Sequence, residues 1–140
     1  MIEHADTTVR VRYAETDQMG VVYYGNYFTW FEIGRVEFLR QLGFEYKRME
    51  DEDDSMLVVA RASCRYRNPA RFDDLLTIRT RLTGAKRRLI SFGYEIFQQD
   101  SGSLIATGET VHVICDRLGR PRSLPEKYRQ YLHVPLRAAP

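Results

Sequence analysis

The sequence predicts an α+β fold in which an antiparallel five-stranded sheet wraps one long central helix. Three observations carry this. Apolar residues alternate over Thr7–Ala14, switch to helical spacing between Gly25 and Gly43, then alternate again through four successive segments. The helical segment is apolar round most of its circumference, the mark of a buried helix. The later segments follow one another through short polar loops, which favours antiparallel neighbours.

The first strand is "TTVRVRYA". Val9, Val11 and Tyr13 share one face, and Arg10 and Arg12 the other. It ends at "ETDQMG", where Thr, Asp and Gly signal a turn. In the helix, Tyr27, Phe31, Gly34, Phe38 and Leu42 form one stripe, while Trp30, Ile33 and Val36 lie elsewhere on the wheel. Gly25 or Asn26 caps its start and Gly43 stops it. Gly34 costs about 1 kcal/mol against Ala inside a helix, so close packing against a sheet is the expected reason for it. A short amphipathic piece spans Phe44–Glu50, and "DEDDS" after it reads as a solvated acidic loop.

Strand spacing resumes at Met56–Tyr66, and "NPARFDD" then breaks the pattern. Leu75–Thr83 alternates strongly. Leu89–Gln98 and Leu104–Cys115 are joined by the turn "QDSG". "DRLGRPRSLP" is a loop, and Pro125 opens a short terminal helix over Glu126–Leu132. With 140 residues, one domain over 1–140 is expected. One helix cannot cover every apolar position of such a sheet, so a homodimer is expected.

Composition narrows the function. Twenty-one basic against 19 acidic residues leave a net charge of +2, which points to neither nucleic acid nor a membrane surface. The N-terminal "MIEHADTTVR" is acidic and lacks the apolar stretch of a signal peptide, and no run approaches a membrane span, so the expected location is cytoplasmic. Cys64 and Cys115 have no CxxC spacing and read as free thiols. His4, His112 and His133 are scattered, so no metal site or cofactor is expected. The sequence has no GxGxxG, GxxxxGK[ST] or GxSxG.

The stretch Tyr13–Tyr27, "YAETDQMGVVYYGNY", holds the chemistry-bearing candidates. Asp17 precedes the helix start, and two readings of it stay open. It makes an Asx-turn or stabilises the helix N-terminus by charge. Alternatively it attacks a carbonyl, or activates water against it, while backbone N–H groups near Tyr24 and Gly25 polarise that carbonyl. Gly25 would let a ligand approach the backbone closely. Glu15 is a second candidate acid, read as a solvated strand-end charge. Lys86, Arg87 and Arg88 form one basic run, and Arg117, Arg120 and Arg122 another; each is either solvated surface or a phosphate site.

"VRYAETDQMGVVYYGNYFTWFEIGRVEFLRQLG" and "YRNPARFDDLLTIRTRL" resemble the two signatures of the 4-hydroxybenzoyl-CoA thioesterase-like family of hotdog-fold acyl-CoA thioesterases. The resemblance runs from about Val9 to Tyr131. It implies a hotdog fold, hydrolysis of an acyl-CoA to acid and CoA, and active sites at the interface of a homodimer or homotetramer. It places Asp17 on the catalytic carboxylate and the Tyr24 N–H on the carbonyl-polarising donor. It puts Lys86, Arg87 and Arg88 where relatives hold the CoA phosphates. Tyr23, Tyr24 and Tyr27 either shape the acyl pocket or serve packing, which explains them equally well. Many relatives in the branch linked to the Tol-Pal system carry His where this chain has Tyr24; the aromatic residue is closer to the 4-hydroxybenzoyl branch. An acyl-CoA binding protein or sensor on the same fold is the alternative, and an enoyl thioester hydratase is a third reading.

Overall fold

A computed structural model describes residues 2–43 and 45–133. Five strands, β1 (Ala5–Arg10), β2 (Met56–Tyr66), β3 (Leu75–Ala85), β4 (Leu89–Gln98) and β5 (Leu104–Cys115), form one sheet in the order β1-β3-β4-β5-β2, every pair antiparallel. The long helix α1 (Asn26–Leu42) lies on its concave face. Helix α2 (Tyr46–Asp53) and the short α3 (Glu126–Arg129) complete the described elements. This is the expected hotdog: a helix held in a curled antiparallel sheet.

The alternation read from the sequence is the alternation of burial. Leu76, Ile78, Thr80 and Leu82 of β3 face the helix, as do Ile90, Phe92, Tyr94 and Ile96 of β4. Fully burying side chains of this size contributes roughly 1.5–3 kcal/mol each. Helix and sheet meet most closely along one rung, Thr80–Tyr94–Gly108. Phe31 stacks on Tyr94 with ring centroids 4.3 Å apart. A Cβ on Gly108 would stand 2.4 Å from the Phe31 ring, and one on Gly34 would stand 2.4 Å from Thr80 Oγ1. Gly34 is therefore a contact glycine, as its helical position suggested. Gly43, at φ 109°, ends α1 with its N–H on the Leu39 and Arg40 carbonyls.

Four expectations change. Strand β1 stops at Arg10, and Tyr13–Glu15 is a single 3-10 turn. Tyr13 is therefore 73% exposed and stacks on Phe72 instead of continuing the apolar face. Strand β2 does not sit beside β3. It pairs with β5 at the far edge, so residues 67–74 cross from one side of the sheet to the other, past the start of α1. The acidic "DEDDS" is not a free loop. Residues 51–53 close α2, where Asp53 binds Lys127 Nζ at 2.7 Å and the Tyr128 hydroxyl. Ile33 is at the surface and Val36 half-buried, so one side of α1 stays uncovered in a single chain. Phe44, the start of the expected amphipathic piece, lies outside the described residues.

Candidate active site

Asp17 sits in a tight turn. Its N–H donates to the Val21 carbonyl at 2.9 Å, its carbonyl accepts the Gly20 N–H at 2.9 Å, and Thr16 bridges Val22. Gly20, at φ +77°, supplies the left-handed residue the turn requires. One carboxylate oxygen, Oδ1, accepts the Met19 N–H at 2.8 Å. The Asx-turn reading is thus realised, and it leaves Oδ2 outside that bond. The Val22 N–H donates to the Ala70 carbonyl at 2.8 Å, which ties the turn to the crossing segment.

The turn is fixed to the helix by Glu15, which is no solvated charge. Glu15 is 8% exposed. Its carboxylate accepts the Arg12 N–H at 2.8 Å and the Trp30 Nε1–H at 3.1 Å. Its carbonyl accepts the Tyr23 N–H and the Asn26 Nδ2–H, both at 2.8 Å. These four bonds hold Glu15 rigidly between the loop and the helix.

The first turn of α1 opens beside this loop. Among the described residues, the Tyr24 and Gly25 N–H groups meet no acceptor. They are two of the orphan donors that a helix start leaves, carrying the positive end of its dipole. Asp17, Tyr24 and Tyr27 line one open groove of about 340 Å³, together with Val21, Tyr66 and Asn68. Burial pushes the Tyr27 phenol up to about 12. Gly25 follows the groove residue Tyr24 in the chain without lining the groove itself, and a Cβ on it would stand 3.0 Å from the Tyr23 ring.

Sequence reasoning missed Tyr66. It reaches the groove only because β2 ends at the helix start, where its hydroxyl donates to the Tyr24 carbonyl at 3.0 Å. The ring meets Tyr27 edge-on at 5.1 Å.

The basic run lies elsewhere. Lys86, Arg87 and Arg88 form the β3–β4 turn, at the opposite end of β3 from the Asp17 loop. Eleven residues of strand separate them, roughly 36 Å. None of the three pairs with a carboxylate among the described residues. Lys86 and Arg87 border a cleft of about 270 Å³ to which Arg129 adds a cation that the sequence did not single out. The second basic cluster is used internally. Arg122 donates to the Asp53 and Asp54 carbonyls, Arg117 to those of Glu50 and Asp51, and Arg120 pairs with Asp116. Arg117 and Arg122 thus cap the end of α2. No cluster of His, Cys, Asp and Glu among the described residues could hold a metal ion. None of their helices is long and apolar enough to cross a membrane.

A sequence profile of the thioesterase-like superfamily matches residues 11–132. The chain belongs to that superfamily. Within it, the chain is 33% identical to the acyl-CoA thioesterase YbgC of Haemophilus influenzae, over 89% of this chain and 91% of the relative. It is 34% identical to the acyl-CoA thioester hydrolase YbgC of Escherichia coli O6:H1, over 84% and 87%. Among solved structures, a DHNA-CoA thioesterase from Staphylococcus aureus superposes with a TM-score of 0.84 at 31% identity, over 91% and 85% of the two chains. The protein TT1821 from Thermus thermophilus gives 0.86 at 36%, over 92% and 95%.

Proposed function

We propose that this protein hydrolyses acyl-CoA thioesters, with Asp17 as the reacting carboxylate. One observation carries the reading: Asp17 lines the same groove as Tyr24, whose N–H is unclaimed at the opening of α1. The thioester oxygen would accept from the Tyr24 N–H, in a position where negative charge grows as the carbonyl becomes tetrahedral. Asp17 would then act in one of two ways. It attacks the carbonyl carbon, the C–S bond breaks, and CoA leaves as thiolate; water then cleaves the mixed anhydride and returns the carboxylate. Or it takes a proton from water as the water attacks, and passes that proton to the leaving thiolate. The YbgC relatives and the Staphylococcus structure carry thioesterase names, which supports this class of reaction.

The same reading makes the protein a homodimer built on β2. That strand is the sheet edge, with Val58 at 46% and Val59 at 48% exposure, a long apolar edge of the kind that invites pairing. Antiparallel pairing of two β2 strands is two-fold symmetric. It sets the Met56 end of the partner's strand beside Tyr66 of the first. Met56 pairs with Cys115 and Leu89 with Val113, so the Lys86–Arg88 turn lies at that same end. The partner's Lys86, Arg87 and Arg88 then stand about three strand spacings, roughly 14 Å, across the sheet from the Asp17 groove. An extended pantetheine arm bridges such a gap. One chain would hold the thioester and the other the CoA phosphates.

Release of free CoA thiol from acetyl-, hexanoyl-, palmitoyl- and benzoyl-CoA tests the proposal. Wild type should turn over at least one ester. Asp17→Asn, with an unchanged circular dichroism spectrum, should lose most of that rate. Turnover that survives in Asp17→Asn removes Asp17 from the chemistry. Binding without turnover by wild type supports the sensor reading, in which the Asx-turn is the whole role of Asp17.

A further inference from the structure

We propose that Tyr66 is a positioning residue that makes the Gly25 N–H a second donor to the thioester oxygen. The inference rests on the thioesterase reading above and goes beyond it by assigning a residue on β2 to the oxyanion site.

The peptide group is the link. The carbonyl of Tyr24 and the N–H of Gly25 belong to one amide. The Tyr66 hydroxyl donates to that carbonyl at 3.0 Å. A hydrogen bond to an amide oxygen draws electron density from nitrogen and makes the N–H at the other end a stronger donor. The helix gives this carbonyl little help itself, because the Tyr27 N–H reaches it only at 3.4 Å. The preceding amide differs. Its carbonyl, Tyr23, accepts the Asn26 N–H at 3.0 Å, so the helix turn already polarises the Tyr24 N–H. Two adjacent amides therefore present unclaimed N–H groups, one polarised by the helix and one by the sheet edge.

The surroundings hold Tyr66 to this task. Its ring lies edge-on to Tyr27 at 5.1 Å and to Tyr24 at 6.4 Å. Burial beside Cys64 pushes its phenol up to about 12, so it stays protonated, and a donor, across the working pH range. Gly25 leaves its own N–H open to a ligand.

The test compares wild type with Tyr66→Phe, which keeps the ring and removes the donor. An oxyanion donor is worth about 10²–10³ in rate, and cooperative strengthening is about 10–30% of a bond, so kcat should fall roughly two- to eightfold. KM should stay within about twofold, as for a contribution made in the transition state. The decisive readout is the infrared carbonyl stretch of the best ester of the four-member panel, bound to Asp17→Asn protein with and without Tyr66→Phe. The stretch should move back toward its free value when the hydroxyl is removed.

An unchanged kcat and stretch would overturn the assignment and leave the thioesterase reading intact. A fall in kcat with an unmoved stretch would also overturn it, because a merely structural role predicts that pattern. If wild type turns over no ester, the thioesterase reading fails separately. The stretch of the bound ester in wild type and Tyr66→Phe then still decides whether Tyr66 polarises the site; an ester that does not bind overturns both.

Discussion

Glu15 and Trp30 stand fifteen residues apart in the chain, and one hydrogen bond of 3.1 Å joins them inside the protein. That bond fixes the loop bearing Asp17 to the helix whose start leaves the Tyr24 and Gly25 N–H groups without an acceptor.

Glu15→Gln should weaken both stability and turnover. A glutamine oxygen serves one of the two donors well, leaving the Arg12 or the Trp30 N–H buried without its partner. Such an orphan costs about 1–3 kcal/mol. Urea denaturation should show that loss, and kcat should fall with it because the Asp17 loop is no longer anchored. Adding Trp30→Phe should cost less on the Glu15→Gln background than alone, since the pair shares one interaction. Full additivity would mean the bond is not energetically significant.

Gly108→Ala should destabilise the protein by roughly 1–3 kcal/mol or more, because the new methyl meets the Phe31 ring at 2.4 Å. Thermal melting measures it. Phe31→Leu in the same chain should restore part of the loss, although alone it should be destabilising. Without rescue, the crowding would lie elsewhere than in Phe31.

Val59→Lys should split the proposed dimer. A charge on the edge strand opposes pairing between copies while adding little strain to a position 48% exposed in one chain. Sedimentation should find a folded monomer. Its thiol release from acyl-CoA should drop at least tenfold, because the groove loses the partner's cations. A fully active monomer would place the whole site within one chain.

His112 should set part of the pH dependence of stability. The imidazole is completely buried, with Nε2 at 2.8 Å from Thr110 Oγ1. Burial, aided by the nearby Arg35 charge, pushes it down to about 4. Between the ordinary value of 6.5 and about 4, the unfolded chain takes up a proton that the folded chain refuses. Stability therefore falls as pH drops through that window and is intact above it, a change on the order of 2–3 kcal/mol between pH 6.5 and 4.5. His112→Gln should start less stable at pH 7 but lose less over the window. Asp6, held low by its hydrogen bond from Arg79, and Asp53, held low by that from Lys127, act only in stronger acid. Equal slopes in the two proteins would clear His112 of the effect.

The legible parts of this fold are those with local causes. Strands β3 and β4 alternate because one face meets the helix, and Gly43 ends α1 through its own backbone. The parts not legible depend on distant partners. Tyr13 alternates like a strand residue, yet Glu15 accepting the Arg12 N–H goes with a turn there. Nothing in "LVVARASCRY" says that β2 pairs with β5 and not β3. Glu15 looked solvated because its partners are a backbone N–H and a tryptophan one helical segment away. Arg117 and Arg122 looked like Arg87, but carbonyls at the end of α2 use them. The groove was half legible: Asp17, Tyr24 and Tyr27 lie in one stretch, while Tyr66 arrives from an edge strand.

The crossing segment that carries the chain from β2 back to β3 has a further consequence. The carboxylate, its brace and the helix start all come from one stretch of eighteen residues, Tyr13 to Trp30. The far wall of the groove comes from Tyr66 and the crossing residues Arg67, Asn68 and Pro69. The proposed reacting carboxylate and the crossing residues of the wall are thus written in separate parts of the gene, with Tyr66 the link between them. Under the proposed reaction, changes at Arg67, Asn68 or Pro69 should reshape the wall for a longer, flatter or more polar acid while leaving Asp17, Glu15 and Tyr66 in place.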